Sequence, residues 1–122
     1  MRKPVLLIGM MGCGKSTVGR LLAERMRLPL IDLDEEIARA AGKTIPEIFA
    51  QEGEAGFRAR ETAALERALA RGDGVIATGG GIVTRAENIR MMREKGVVVW
   101  LCRPLEDSPA VFSSYHFAAY SN

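Results

Sequence analysis

Four short runs of mainly apolar residues recur along the chain, each about as long as a single β-strand. They occupy residues 5–8, 30–33, 75–78 and 97–102. A strand with one face in water alternates apolar and polar residues, and these runs lack that alternation. We therefore predict four strands that are covered on both faces, as in a parallel sheet.

The segments between these runs have the apolar spacing of amphipathic helices. The predicted helices cover residues 17–26, 35–41, 44–52, 54–70 and 86–95. The apolar face of the first is formed by Val18, Leu21, Leu22 and Met26, and that of the longest by Phe57, Ala64, Leu65 and Leu69. Strands that alternate with helices predict a three-layer α/β fold, with a parallel sheet and helices on both of its faces.

Residues with known capping preferences mark the ends of several predicted helices. Asp34 is the expected N-cap of the second helix, and Gly42 is its expected stop. Thr44 is the expected cap of the third helix, with Glu47 in its first turn. Gly53 is expected to end that helix and to separate it from the longer one that follows.

The regular pattern stops at about residue 103. Residues 107–122 show no helical period and contain no lysine or arginine. We predict a core over residues 1–105 and an atypical, poorly ordered tail over residues 106–122. The last strand of the sheet is then missing, and one sheet edge is left uncovered, which offers a route to association.

A glycine-rich segment follows the first predicted strand directly. Residues 9–17 read Gly-Met-Met-Gly-Cys-Gly-Lys-Ser-Thr, which contains the phosphate-binding pattern G-x-x-x-x-G-K-S. Backbone N–H groups of such a loop, together with the N-terminus of the next helix, bind phosphate. Lys15 is expected to contact the β- and γ-phosphates, and the Ser16 hydroxyl to bind Mg²⁺. The segment therefore predicts a site for a nucleoside triphosphate such as ATP.

Two acids and three glycines lie at the ends of the next two predicted strands, where ligands bind in open α/β sheets. Asp32 and Asp34 are two residues apart on a segment predicted to be extended, so their side chains should project in a similar direction. One can hold Mg²⁺ while the other accepts a proton from an attacking hydroxyl. The alternative is that Asp34 only caps a helix and Asp32 only ends a strand.

The three glycines at residues 79–81, called the triglycine segment below, offer backbone N–H groups to a polar small molecule. An ordinary turn is the alternative. Arg58 and Glu61 lie three residues apart on a predicted helix and can pair on one face. An arginine held in this way is oriented to bind a substrate carboxylate, although such a pair is often only a surface salt bridge.

Composition narrows the class of protein. The chain has 122 residues, 48% hydrophobic and 26% charged, which is typical of one soluble globular domain. A net charge of +2 gives no indication of a nucleic-acid or membrane partner. Cys13 lies inside the phosphate loop, where a disulfide to Cys102 would obstruct a nucleotide, so we expect a reduced, cytoplasmic protein. We expect a monomer.

Taken together and in order, these motifs resemble a shikimate kinase. The resemblance covers about residues 4–105. It rests on the phosphate loop at residues 9–17, Asp-x-Asp at 32–34, Gly-Glu-x-x-Phe-Arg-x-x-Glu at 53–61 and Ile-Ala-Thr-Gly-Gly-Gly at 76–81. It implies a P-loop NTPase-type fold and transfer of the ATP γ-phosphate to the 3-hydroxyl of shikimate, a step in aromatic amino-acid biosynthesis.

The resemblance also implies roles for individual residues. Asp32 lies near the Mg²⁺ that Ser16 binds, Asp34 contacts shikimate hydroxyls and is the candidate base, Arg58 grips the shikimate carboxylate, and Glu61 supports Arg58. The residues that cradle the ATP phosphates are Gly12, Cys13, Gly14, Lys15, Ser16 and Thr17. The residues that line the substrate ring are Gly79, Gly80 and Gly81.

The resemblance ends after about residue 105, where the family's arginine-bearing lid and last strand–helix unit have no counterpart. From this we expect a truncated or altered kinase with little turnover. Two other functions stay open at this point: a non-catalytic nucleotide-binding remnant, and another small-molecule P-loop kinase such as a gluconate kinase. The Phe-Arg-x-x-Glu pattern favours an acidic, hydroxylated ring as the substrate.

Overall fold

The computed structural model describes residues 3–9, 15–102 and 116–120. In chain order its elements are β1 (Val5–Gly9), α1 (Lys15–Met26), β2 (Leu30–Asp32), α2 (Leu33–Ala41), α3 (Ile45–Ala70), β3 (Val75–Ala77), a 3₁₀ turn (Ile82–Thr84), α4 (Ala86–Lys95), β4 (Val97–Cys102) and β5 (His116–Tyr120). None of the described helices combines the length and the apolar character needed to cross a lipid bilayer.

The strands form one sheet in the order β2-β3-β1-β4-β5. The first four strands are parallel, and Leu6 of β1 pairs with Ile76 of β3 on one side and with Val98 of β4 on the other. The prediction of a parallel α/β sheet is therefore confirmed. Because β2, β3 and β1 are parallel neighbours in this order, their carboxyl ends lie side by side at one edge of the sheet.

Two buried clusters cover the two faces of this sheet. Leu7 packs with Ala23 of α1 on one face, whereas Leu6 packs with Leu65 of α3 and Met92 of α4 on the other. Leu6 and Leu7 are both fully buried, and each such side chain contributes about 2 kcal/mol by leaving water. The predicted arrangement of helices on both faces is confirmed.

The fifth strand differs from the sequence prediction. β5 pairs antiparallel with β4, with Val98 opposite Tyr120 and Cys102 opposite His116. The expectation that the β4 edge is uncovered is therefore wrong. Residues 116–120 form a strand and not the expected tail, and the rest of the predicted tail lies outside the described residues. A five-residue strand carries too little periodicity to be told from a loop, and it forms here because the edge of β4 offers unpaired backbone groups.

Helix α3 joins two segments that were predicted to be separate. Gly53 has φ 75° and ψ −178°, which is not a helical conformation, so the predicted boundary at Gly53 is confirmed and α3 consists of two helical arms that meet at a kink. Glu52, before the kink, accepts hydrogen bonds of 2.8 and 3.0 Å from Arg60, after it. The rings of Phe49 and Phe57 stack across the kink with centroids 4.6 Å apart. Two contacts that bridge the kink thus hold its two arms in one element.

Two of the predicted helix ends are confirmed. The Thr44 side chain accepts a hydrogen bond from the backbone of Glu47, and the Glu47 carboxylate accepts one from the backbone of Thr44, which completes a capping box. Gly42 ends α2 in the left-handed conformation, with φ 70°. These caps fix where α3 begins, and α3 carries Arg58 and Glu61 toward the sheet edge.

Candidate functional site

The second strand ends one residue earlier than predicted, and this changes the roles of two acids. β2 ends at Asp32, whose carboxylate caps α2 by accepting a hydrogen bond of 3.2 Å from the Glu35 backbone. The prediction that Asp34 is the cap is wrong, because Asp34 lies in the first turn of α2. Asp32 has an extended backbone and Asp34 is helical. Their spacing of two residues therefore no longer implies that the two side chains project in a similar direction.

The Asp34 carboxylate instead faces the end of β3. A methyl group placed on Gly79 would lie 3.2 Å from Asp34 Oδ1 and 3.6 Å from Glu61 Oε2. Two carboxylates, one from α2 and one from α3, thus converge on the first glycine of the triglycine segment. Because Gly79 has no side chain, both carboxylates can lie close to its backbone.

Arg58 and Glu61 form an ion pair that is largely hidden from water. Arg58 Nη1 donates to Glu61 Oε1 at 2.9 Å, and the two side chains are 19% and 1% exposed. The alternative of an ordinary surface salt bridge is wrong here, because Glu61 is buried. Arg58 also lies 3.5 Å from the exposed Glu54 carboxylate and stacks over the Phe57 ring at 5.2 Å. The guanidinium is therefore held on several sides.

The pKa values of Glu61 and Arg58 are both raised, but for different reasons. Burial raises the pKa of Glu61, and Asp34 raises it further, against the opposing effects of Arg58 and Arg85. Burial disfavours the charge on Arg58, but the hydrogen bond and charge of Glu61 outweigh it and raise the pKa of Arg58. Glu61 Oε2 and Arg58 Nε are both buried without a hydrogen-bond partner. The site thus holds a fixed cation beside carboxylates, an arrangement that can bind an acidic, hydroxylated molecule.

The phosphate-loop prediction can be followed only in part. β1 leads into the loop and α1 begins at Lys15, so the predicted strand–loop–helix order is confirmed. Gly12, Cys13 and Gly14 lie outside the described residues, as do the side chains of Lys15 and Ser16. Thr17 lies in the first turn of α1 and is exposed. Nucleotide binding by these residues stays a prediction.

Of the two residues predicted to bind Mg²⁺, Ser16 and Asp32, the structure describes the side chain of Asp32. Asp32 sits at the end of β2 and is partly exposed. A carboxylate offers several acceptor positions, so the capping bond does not use up its capacity. Within the described residues, no group of three or more His, Cys, Asp or Glu side chains is arranged to hold a metal. Mg²⁺ commonly uses only one or two carboxylates together with phosphates and water, so Asp32 fits that ion.

Gly80, the second glycine of the segment, has a different set of neighbours from Gly79. It lines a mostly apolar cavity of about 300 Å³ together with Ile8, Val83 and Trp100. Trp100 of β4 is 42% exposed there. The triglycine segment therefore has carboxylates at Gly79 and an apolar, aromatic wall at Gly80.

Sequence reasoning missed one set of polar residues next to the site. Asn88 of α4 is fully buried, and it bonds to Thr62 of α3 and to the backbone of Ile82. The available signal was spacing: Asn88 lies four residues before the buried Met92, so it is on the buried face of an amphipathic helix. A polar residue in that position must find partners inside the protein.

Comparison with known proteins gives a consistent result. A family model described as "Shikimate kinase" matches residues 11–112. The shikimate kinase of Bordetella pertussis is 49% identical over 104 residues, which are 85% of this chain and 49% of that protein. The shikimate kinase of Symbiobacterium thermophilum is 52% identical over 97 residues, which are 80% of this chain and 56% of that protein.

Solved structures agree with the sequence comparisons. The Acinetobacter baumannii shikimate kinase in complex with shikimate has a TM-score of 0.82 at 47% identity, with 85% of this chain and 58% of that one covered. The Aquifex aeolicus shikimate kinase has a TM-score of 0.78 at 37% identity, with 87% and 67% covered. The chain spans about half the length of the curated relatives it matches. On the family match and these identities, the chain belongs to the shikimate kinase family.

Proposed function

We propose that the protein takes part in shikimate kinase catalysis, in which the γ-phosphate of ATP is transferred to the 3-hydroxyl of shikimate. The observation that carries this proposal is the buried Arg58–Glu61 pair, which faces the triglycine segment. A fixed guanidinium is suited to a ring carboxylate, and Asp34 beside Gly79 is suited to ring hydroxyls. A relative whose structure contains shikimate, the Acinetobacter baumannii enzyme, supports the choice of ligand.

In the proposed reaction the shikimate hydroxyl oxygen attacks the γ-phosphorus, and the bond to the β,γ-bridging oxygen breaks to release ADP. Asp34 is the proposed acceptor of the hydroxyl proton. Lys15 is proposed to contact the β- and γ-phosphates, with Gly12, Cys13, Gly14, Ser16 and Thr17 completing the cradle. Ser16 and Asp32 would hold Mg²⁺, which neutralises phosphate charge when bound. Catalysis then depends mainly on positioning and charge.

Binding by calorimetry tests the substrate first. Shikimate, its methyl ester and gluconate are titrated into the purified chain. We expect shikimate to bind measurably and the methyl ester to bind at least tenfold more weakly, because the ester lacks the charge that Arg58 recognises. Equal binding of acid and ester would refute the role of Arg58. Tighter binding of gluconate than of shikimate would refute the proposed substrate.

Phosphate transfer is tested separately, by following ATP-dependent phosphorylation of shikimate with Lys15→Ala as the blank. Activity above the blank supports the kinase proposal, since Lys15→Ala removes the positive charge that is proposed to contact the transferred phosphate. Binding of both ligands with no transfer above the blank would instead identify this chain as a nucleotide-binding protein without kinase activity.

A further inference from the structure

The buried Asn88 side chain stands at the centre of a continuous chain of hydrogen bonds. Arg85 Nη1 donates to Thr62 Oγ1 at 3.0 Å, and the Thr62 hydroxyl donates to Asn88 Oδ1 at 2.8 Å. Asn88 Nδ2 then donates to the Ile82 carbonyl at 3.1 Å. The carbonyl of Ile82 can only accept, so the orientation of the Asn88 amide is set and every bond in the chain has one direction.

This chain of bonds joins the two parts of the candidate site. Thr62 follows Glu61 directly on α3, and Ile82 follows Gly81 directly at the end of the triglycine segment. Arg85 Nη1 also approaches the Arg58 carbonyl, at 3.4 Å. The network therefore connects the backbone of Ile82, at the end of the triglycine segment, to α3, the helix that carries Arg58.

Other hydrogen bonds of the segment do not make this connection. The Ile82 amide donates to the Gly79 carbonyl at 3.3 Å, and the Thr84 amide donates to the Gly81 carbonyl at 3.0 Å. Both bonds lie within residues 79–84, so they shape the turn without attaching it to α3. The hydrogen bonds that attach the segment to α3 are therefore those of side chains. Their loss matters because a displacement of about 1 Å at a binding group can lower activity about a hundredfold.

We propose that Thr62 and Asn88 are positioning residues, which hold the triglycine segment at a fixed distance from the Arg58 guanidinium. That the ligand held there is shikimate rests on the proposed function. Neither side chain is assigned a contact with substrate: Asn88 is fully buried, and both act through the backbone and through Arg58. Loss of the network should weaken shikimate binding and leave ATP binding unchanged.

Thr62→Val and Thr62→Ser are the matched pair that tests this inference. Valine keeps the branched shape but has no hydroxyl, so Asn88 Oδ1 loses this donor and Arg85 loses one of its acceptors; serine keeps the hydroxyl. By calorimetry we expect shikimate to bind about tenfold more weakly to Thr62→Val and within about twofold of the original protein to Thr62→Ser. ATP affinity should stay within about twofold in both. Shikimate binding to Thr62→Val as tight as to Thr62→Ser would overturn the inference, and so would an equal loss of ATP binding.

If the chain binds no shikimate, the proposed function is refuted, but the positioning role of Thr62 and Asn88 can still be tested by hydrogen exchange. The amides of Ile82 and Thr84 should exchange at least fivefold faster in Thr62→Val than in Thr62→Ser, while those of β1 stay unchanged. Unchanged exchange at both amides would overturn the inference. Asn88→Asp, which turns the donor toward Ile82 into an acceptor, should reproduce the Thr62→Val result in both measurements.

Discussion

The Arg58 guanidinium lies directly against the α-carbon of Gly81, in the space that a side chain at position 81 would occupy. Gly81 has φ −93° and ψ 6°, a conformation open to other residues. The position of the guanidinium, and not the backbone conformation, therefore leaves no room for a side chain at residue 81 unless the end of Arg58 moves. The relationship ties the third glycine of the segment to the cation proposed to bind substrate.

Gly81→Ala should displace Arg58 from this position. We expect shikimate to bind at least tenfold more weakly and ATP to bind as before, because the added methyl group would overlap the guanidinium. Calorimetry with each ligand measures both effects. Gly74→Ala is the matched control, since a methyl group there meets only ordinary contacts of 3.5 Å or more. Unchanged shikimate binding in Gly81→Ala would contradict the assigned position of Arg58.

Glu61 should make stability depend on pH in a defined direction. Its pKa is raised above the ordinary value of 4.5, so the folded protein binds this proton more tightly than the unfolded chain. The resulting contribution to stability is present below pH 4.5 and is lost as the pH rises through the folded pKa. Each unit of the shift corresponds to about 1.4 kcal/mol.

Glu61→Gln removes this titration and keeps an acceptor for Arg58. The unfolding free energy of the variant, relative to the original protein, should therefore increase between pH 4.5 and pH 7. Urea unfolding at several pH values measures the difference. A relative stability that is constant or falls over this range would show that folding does not raise the pKa of Glu61.

Glu52 is expected to behave in the opposite way. Its hydrogen bonds to Arg60 and Lys43 lower its pKa to about 2. Its contribution to stability is present above pH 4.5 and is lost as the pH falls toward 2. Glu52→Gln should lower the melting temperature slightly at neutral pH, with a smaller loss in high salt because exposed ion pairs are screened. Glu66→Gln, on the exposed side of the same helix, is the control and should change little.

Gly53→Ala tests the backbone at the kink of α3. With φ 75° and ψ −178°, Gly53 occupies a region that is nearly exclusive to glycine, and nothing lies within 4 Å of an added methyl group. Strain alone should therefore destabilise the variant by about 1–3 kcal/mol. Thermal or urea unfolding measures this, with Gly74→Ala again as the control. A variant as stable as the control would show that the kink can relax without cost.

Trp100 offers a direct report of ligand binding. It is the one tryptophan of the chain, and it shares a cavity with Gly80. Shikimate bound at the triglycine segment should change its fluorescence emission, since a partly exposed indole senses changes in nearby polarity. Trp100→Phe should abolish the signal while calorimetric binding persists. Saturating shikimate that binds without any change in emission would place the ligand away from Gly80.

Much of the fold follows from local sequence patterns. The four parallel strands and the helix over residues 86–95 were predicted at or within one residue of their ends, because apolar runs and helical spacing are strong local signals. The cap of α2 was misplaced because Asp32 and Asp34 both have capping chemistry. The interruption at Gly53 agrees with the prediction, but no local pattern indicates that Glu52 and Arg60, eight residues apart, hold the two arms of α3 together.

Local patterns in the sequence are enough to predict the α/β class, the placement of the phosphate-binding motif between a strand and a helix, and the set of residues at the carboxyl ends of the strands. These depend on periodicity and on glycine chemistry within a few neighbouring residues. Long-range packing accounts for three further features: Glu61 is buried, its carboxylate and that of Asp34 converge on Gly79, and Thr62 and Asn88 join α3 to the triglycine segment. It also accounts for the pairing of β5 with β4. Each of these depends on which distant elements pack together, and no local pattern encodes that.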